Sequence, residues 1–108
     1  MNAVMGETIA SRNVTVVNPQ GLHARPVNLF VRLANKFEAK IDVVKGDERV
    51  DGKSILSILT LAAEQGTELT IEAAGHDAEA ALAALVELVQ SGFAGEDENN
   101  QELTHNEV

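Results

Sequence analysis

The 108 residues carry 8 Lys or Arg against 17 Asp or Glu, a formal net charge of -9, with three Phe and no Trp, Tyr or Cys. The lack of cysteine excludes disulfides, thiolate zinc sites and cysteine nucleophiles. Scarce aromatics and a negative balance argue against base stacking and phosphate-backbone binding, so no nucleic-acid partner is expected. Hydrophobic residues make up 44%, enough for one core built from Val, Ile, Leu and Ala. No apolar run approaches the ~20 residues of a membrane span and no secretory leader is apparent, so a cytoplasmic protein without membrane insertion is expected.

In chain order, Asn13 to Asn18 places Val14 and Val16 against Thr15, a strand rich in β-branched residues. Pro19-Gln20-Gly21 ends it. From Ala24 the apolar residues Val27, Phe30, Val31 and Ala34 recur at helical spacing, predicting a helix that fades near Lys36. Pro26 suits its first turn, where a missing N–H costs nothing. Lys40–Val44 and Glu48–Asp51 read as two short strands around a Lys45-Gly46-Asp47 turn. Ser54 then leads Ile55, Leu56, Ile58, Leu59, Leu61 and Ala62, a short helix apolar around more than half its circumference. Such an arc is either deep in a core or an exposed patch for a partner. Glu68–Ala73 alternates as a half-exposed strand. Asp77 is placed to N-cap a last helix carrying Ala78, Ala81, Leu82, Leu85, Leu88 and Val89, which stops at Ser91-Gly92.

The order β-α-β-β-α-β-α predicts an α+β domain, an antiparallel sheet covered by helices on one side. The domain is expected over residues 12–94. Residues 1–11 form an N-terminal extension. Residues 95–108 hold five acids and no Lys or Arg and are expected to be a disordered tail. All eight bases lie between Arg12 and Lys53, an asymmetry that admits either a local basic face or plain solvated surface.

Gly21-Leu22-His23-Ala24-Arg25-Pro26 puts a histidine at a predicted helix start. Unpaired amides and the positive dipole end make such a start an anion site. An imidazole with pKa near 6.5 is largely neutral at pH 7 and needs no separate base to act as a nucleophile. Arg25 supplies a cation for phosphoryl oxygens, although a cation at a helix start opposes the dipole unless an anion is nearby. Gly52-Lys53-Ser54 fails as a P-loop, because Asp47 stands where that motif requires glycine. Ser54 is by local chemistry an N-cap. A triad of Ser54, His23 and Asp51 lacks a nucleophile elbow. His76 and His105 have no paired ligand spacing, so no metal site is expected.

On these residues the chain resembles the HPr family, the histidine-containing phosphocarriers of the phosphoenolpyruvate:sugar phosphotransferase system. Gly21 to Pro26 is similar to the family's active-site signature, and Gly52-Lys53-Ser54-Ile55-Leu56 to its second signature. Leu59-Thr60-Leu61-Ala62-Ala63, Gly66 and Ala74-Gly75-His76-Asp77-Ala78 follow the family's order, the likeness covering roughly residues 12–93. Gln20 departs from it, standing where members commonly carry a smaller polar residue.

The resemblance implies an open-faced β-sandwich of four antiparallel strands and three helices. It implies a carrier rather than an enzyme, with no cofactor. His23 would accept a phosphoryl group on Nδ1 from enzyme I and pass it to an enzyme IIA domain, with Arg25 contacting the phosphate. Ser54 would be the regulatory target of an HPr kinase/phosphorylase. Gln20, Ala24, Ile55, Leu56 and Leu59 would form the partner surface of a monomer. The alternatives are a paralogue in a regulatory, nitrogen-type branch and a transcription co-regulator acting through phosphorylated Ser54.

Overall fold

The structure, a computed structural model, describes residues 8–93. The expected extension up to residue 7 and the tail 95–108, with His105, lie outside the described residues. The elements run β1 (Ile9–Thr15), α1 (Ala24–Ala34), β2 (Lys40–Lys45), β3 (Glu48–Asp51), α2 (Ile55–Leu59), β4 (Glu68–Ala74) and α3 (Ala78–Gln90). The four strands form one sheet in the order β1-β4-β2-β3, with every neighbouring pair antiparallel. This is the expected α+β open-faced sandwich.

Alternation along β4 shows why the sheet has two faces. Leu69, Ile71 and Ala73 are buried, whereas Thr70 and Glu72 face outward. Val14, Ile41 and Val43 join the buried face, and α1 and α3 cover it with Val27, Phe30, Leu82, Leu85 and Val89. Each fully buried Leu or Ile contributes about 1.5–3 kcal/mol, so this apolar layer dominates the stability. The open face carries polar groups instead. Arg49 bridges Asp42 at 3.0 Å and Glu72 at 2.5 Å, and Lys40 reaches Asp42 at 2.9 Å. Partial burial raises the Asp42 pKa, but hydrogen bonds from Lys40 and Arg49 outweigh it and leave the carboxyl below its usual range.

Three expectations are corrected. First, β1 begins at Ile9, four residues before Asn13, because β4 offers partners from Ala74 to Glu68. Ser11, Arg12 and Asn13 are exposed, so no apolar alternation marks this half of an edge strand. At the other end the strand stops at Thr15 rather than Asn18, with one further residue paired: Val16 N–H donates to Thr67 at 2.9 Å and its carbonyl accepts from Gly66 at 2.8 Å.

Second, α2 stops at Leu59 rather than running to Ala62. Thr60 caps it, and Ala62 turns into the left-handed region at φ 50, which drives the chain back toward the sheet. Third, Asp77 occupies the N-cap of α3 but makes no side-chain cap bond. Its carboxylate instead accepts from Glu38 N–H at 2.9 Å and Ala39 N–H at 2.8 Å, tying the entry of β2 to the start of α3. Those two amides precede a strand and have no helical partner, so a carboxylate there satisfies two donors at once.

Candidate histidine site at the start of the first helix

His23 is itself the N-cap of α1, with extended backbone (φ -88, ψ -176) and no side-chain cap hydrogen bond. Its carbonyl accepts from Val27 N–H at 3.0 Å, which starts the helix. The first turn holds no acidic residue, so the positive end of the helix dipole is not offset within it. His23, Ala24 and Arg25 are exposed, while Leu22 before them and Pro26 and Val27 after them are buried. An exposed imidazole therefore rides on a backbone pinned to the core on both sides.

The pinning is specific. Leu22 N–H donates to the Ala63 carbonyl at 2.9 Å. Gly21 lies so close to the same segment that a Cβ on it would sit 2.6 Å from the Ala63 carbonyl oxygen, and its φ of +75 suits glycine. Asn18, to which the sequence reading assigned no role, closes the loop. Its Nδ2 donates to the Gly21 carbonyl at 2.7 Å, and its own carbonyl accepts from Gly21 N–H at 3.0 Å. The signal was present in Asn18-Pro19 ahead of a glycine, which is turn chemistry.

Ser54 caps α2 as expected, its hydroxyl oxygen accepting from Ser57 N–H at 3.2 Å. Asp51 accepts from Lys53 N–H at 2.9 Å, so both groups are engaged in the local turn rather than aimed at an imidazole. Gly52 sits against β2, where a Cβ would come within 2.5 Å of Ile41 Cγ2. Lys53 Nζ donates to the Phe37 carbonyl at 2.8 Å. The Gly-Lys-Ser run is thus a packed corner between β3 and α2, not a phosphate cradle.

The broad apolar arc of the second helix divides in two. Ile58 and Leu61 are buried in the core, Ile55 and Leu59 are half-buried against it, and Leu56 is 76% exposed. The core reading therefore holds for two residues and the exposed-patch reading for one. Ile58 lines an apolar cavity together with Leu22 and Val27, so the helix that Ser54 caps and the residues flanking His23 pack on common ground. Gln20 and Ala24 are exposed as the partner-surface expectation requires.

Among the described residues no group of three or more His, Cys, Asp or Glu is arranged to hold a metal ion, and no helix is long and apolar enough to cross a membrane. His76 is engaged at the far loop, where its Nε2 lies 2.9 Å from Glu38 Oε1. That hydrogen bond, with the charges of Asp77 and Glu38, raises its pKa above the usual histidine value.

The sequence matches the family described as the PTS HPr component phosphorylation site over residues 10–91. It is 40% identical over 87 residues to the phosphocarrier protein HPr of Neisseria meningitidis, covering 81% of this chain and 97% of that protein. It is 38% identical over 86 residues to the phosphocarrier protein NPr of Shewanella violacea, covering 80% and 94%. The crystal structure of HPr from Thermoanaerobacter tengcongensis superimposes with a TM-score of 0.76 at 41% identity, over 79% of this chain and 96% of that one. The Bacillus subtilis catabolite repression protein Crh, whose crystal structure is a domain-swapped dimer, superimposes with a TM-score of 0.64 at 40% identity, over 73% and 91%.

Proposed function

The chain belongs to the HPr family of phosphocarrier proteins of the phosphotransferase system, and from that premise we propose that His23 accepts a phosphoryl group from phosphorylated enzyme I and transfers it to an enzyme IIA domain in sugar uptake. The observation that carries the reading is His23 as an exposed helix N-cap with no side-chain cap and no acid in the first turn. Nδ1 of the neutral imidazole supplies the lone pair that forms the N–P bond, and the bonding pair of the broken bond stays with the donor. In onward transfer a lone pair of the acceptor forms the new bond to phosphorus while the N–P bonding pair reverts to Nδ1, the ring being a good leaving group once protonated. The helix dipole and Arg25 stabilise the phosphoryl oxygens in both directions. Partner docking uses Gln20, Ala24 and the apolar side chains Ile55, Leu56 and Leu59. Exchange must be fast, which suits a small interface. The protein acts as a cytoplasmic monomer and needs no cofactor.

Ser54 is the proposed regulatory position, modified by an HPr kinase/phosphorylase. A phosphate there adds roughly -1.5 to -2 charge two residues from exposed Leu56, enough to change which partners dock. A nitrogen-type branch is the second reading, favoured by the likeness to NPr. Action as a co-regulator through phosphorylated Ser54 has the likeness to Crh on its side.

The test is incubation with phosphoenolpyruvate and enzyme I of each branch. An acid-labile, base-stable phosphate is expected, lost in His23→Ala and retained in Ser54→Ala. Labelling that survives His23→Ala overturns the carrier mechanism, and the branch whose enzyme I labels the protein faster identifies the pathway.

A further inference from the structure

We propose that Lys45 is a positioning residue for His23. It clamps the Leu61 carbonyl, keeps a strained Ala62 from relaxing, and so holds the Ala63 carbonyl where the histidine loop hangs from it. The consequence for transfer rests on the reading of His23 as carrier; the clamp itself does not.

The histidine loop is mounted on another loop. Residues 16–22, which lead from β1 to His23, are fastened at both ends to residues 61–67. Gly66 N–H donates to the Val16 carbonyl at 2.8 Å, and Gln65 Nε2 to the Val17 carbonyl at 3.1 Å. At the other end Leu22 N–H donates to the Ala63 carbonyl at 2.9 Å. Gly21 packs there so closely that a Cβ on it would lie 2.6 Å from the Ala63 oxygen and 2.9 Å from Glu64 Cα. The imidazole is exposed and makes no cap bond, so its place is inherited from the segment that carries the loop. The half of that segment after Ala63 is braced by Thr67, whose Oγ1 accepts from Glu64 N–H at 3.0 Å and whose N–H donates to the Glu64 carbonyl at 2.9 Å.

The half before Ala63 holds the strain. Leu61 and Ala63 are 1% and 3% exposed, and between them exposed Ala62 has φ 50. An L residue in that region brings its Cβ against a carbonyl oxygen. The direct escape is a flip of the peptide plane joining Leu61 to Ala62, which turns ψ of Leu61 and φ of Ala62 together by about half a turn and returns Ala62 to the extended region. Burial of the two flanking side chains resists translation of the segment, but it resists rotation of the plane between them far less. A flip there redirects the backbone entering Ala63, whose carbonyl holds Leu22.

Polar bonds on that same plane oppose the flip. Its N–H, from Ala62, donates to the Leu59 carbonyl at 3.1 Å. Its carbonyl, from Leu61, accepts from Lys45 Nζ at 2.8 Å. Lys45 is half-buried at the end of β2, so this bond is charge-assisted, partly shielded from water, and anchored in the sheet rather than in another loop. Flipping the plane would aim the carbonyl away from the ammonium and leave both groups without that partner. Lys45 thus offsets what the conformation of Ala62 costs, and the two residues act as a pair.

Lys45→Met keeps the aliphatic stem and removes the donor. In the full-length variant, amide exchange at Leu22 should quicken about tenfold or more, as expected on losing one hydrogen bond to a charged group. Ile71, in the central strand β4, should keep its rate. The kcat for phosphoryl acceptance from phosphorylated enzyme I should fall about threefold or more with KM unchanged, the sign of a misplaced reacting group. Adding Ala62→Gly removes the strain and should return Leu22 exchange and kcat to the values of the parent protein. Unchanged exchange at Leu22, equal quickening at Ile71, or no recovery with Ala62→Gly overturns the clamp. A raised KM with kcat unchanged would assign Lys45 to partner docking and overturn the positioning role. Failure of the parent protein to be labelled on His23 would count against the carrier reading, whereas exchange at Leu22 would still decide the clamp.

Discussion

Leu22 N–H donates to the Ala63 carbonyl at 2.9 Å, which fastens the residue before His23 to the segment that follows α2. The position of the imidazole is thus set by a backbone contact across two loops rather than by any side chain in the helix it caps.

Gly21→Ala should disturb this mount. The added methyl group would meet the Ala63 oxygen at 2.6 Å in a backbone conformation that L residues rarely adopt. We expect a loss of about 1–3 kcal/mol of unfolding free energy, read as a lower midpoint in urea. Phosphoryl acceptance by His23 should slow even under conditions where the variant remains folded. Unchanged stability and rate would show that the loop relaxes without cost.

Ile58 and Leu56 offer a contrast within one short helix. Ile58 is 2% exposed and Leu56 76% exposed. Ile58→Ala should cost about 2–4 kcal/mol through lost burial and an enlarged cavity. Leu56→Ala should shift stability by less than about 0.5 kcal/mol yet raise the KM for a docking partner. Denaturant titration of both variants, with transfer kinetics, separates the two roles. A large stability loss in Leu56→Ala would contradict its exposure.

Histidine 76 gives a stability signal with a defined sign. Its folded pKa is raised, first by the hydrogen bond to Glu38 and then by the charges of Asp77 and Glu38. The charged form is the one favoured by folding, so its contribution is complete below pH 6.5 and fades as pH rises through the folded value. The stability difference between the parent protein and His76→Gln should therefore shrink from pH 6 toward pH 8. A difference constant across that range would mean that the pair with Glu38 is not formed in solution.

Asp77 should behave in the opposite sense. Its folded pKa is lowered, chiefly by the hydrogen bond from Glu38 N–H and then that from Ala39 N–H. The stabilisation is present above the unfolded value of 3.8 and is lost as pH falls through the folded one. Asp77→Asn should accordingly flatten the acid side of the stability profile, and hydrogen exchange at Glu38 and Ala39 should quicken. Protected amides in that variant would mean that another acceptor replaces the carboxylate.

What could be read from the chain follows from how local each cause is. The α1 stripe of Val27, Phe30, Val31 and Ala34, and the Ser54 cap, depend on neighbours within one or two turns, and both stand as expected. The first half of β1 was not legible, because an edge strand whose residues 11–13 are exposed carries no apolar period. The end of α2 was missed because Leu61 and Ala62 look helical while the core claims Leu61 and a positive φ falls on Ala62. Asp77 has the right type for a cap, but its bonds go to amides 38 and 39 residues away in sequence. At the site, His23, Arg25 and Ser54 were visible as motif residues. The carbonyl of Ala63 that positions the first of them could not be, since any residue supplies a carbonyl.

The strand order has a consequence for how the molecule comes into being. β2 and β3 meet through a tight turn at Gly46, a local closure, whereas β1 must find β4 across most of the chain: the side chains of Asn13 and Thr70, bonded at 2.7 Å, stand 57 residues apart. Long closures are entropically dear and generally late. The loop bearing His23 hangs from β1, so a nascent or partly folded chain would have its hairpin well before it has that loop in place. If His23 is the carrier proposed above, competence for transfer would coincide with the last act of folding, and partially assembled molecules would have no poised histidine.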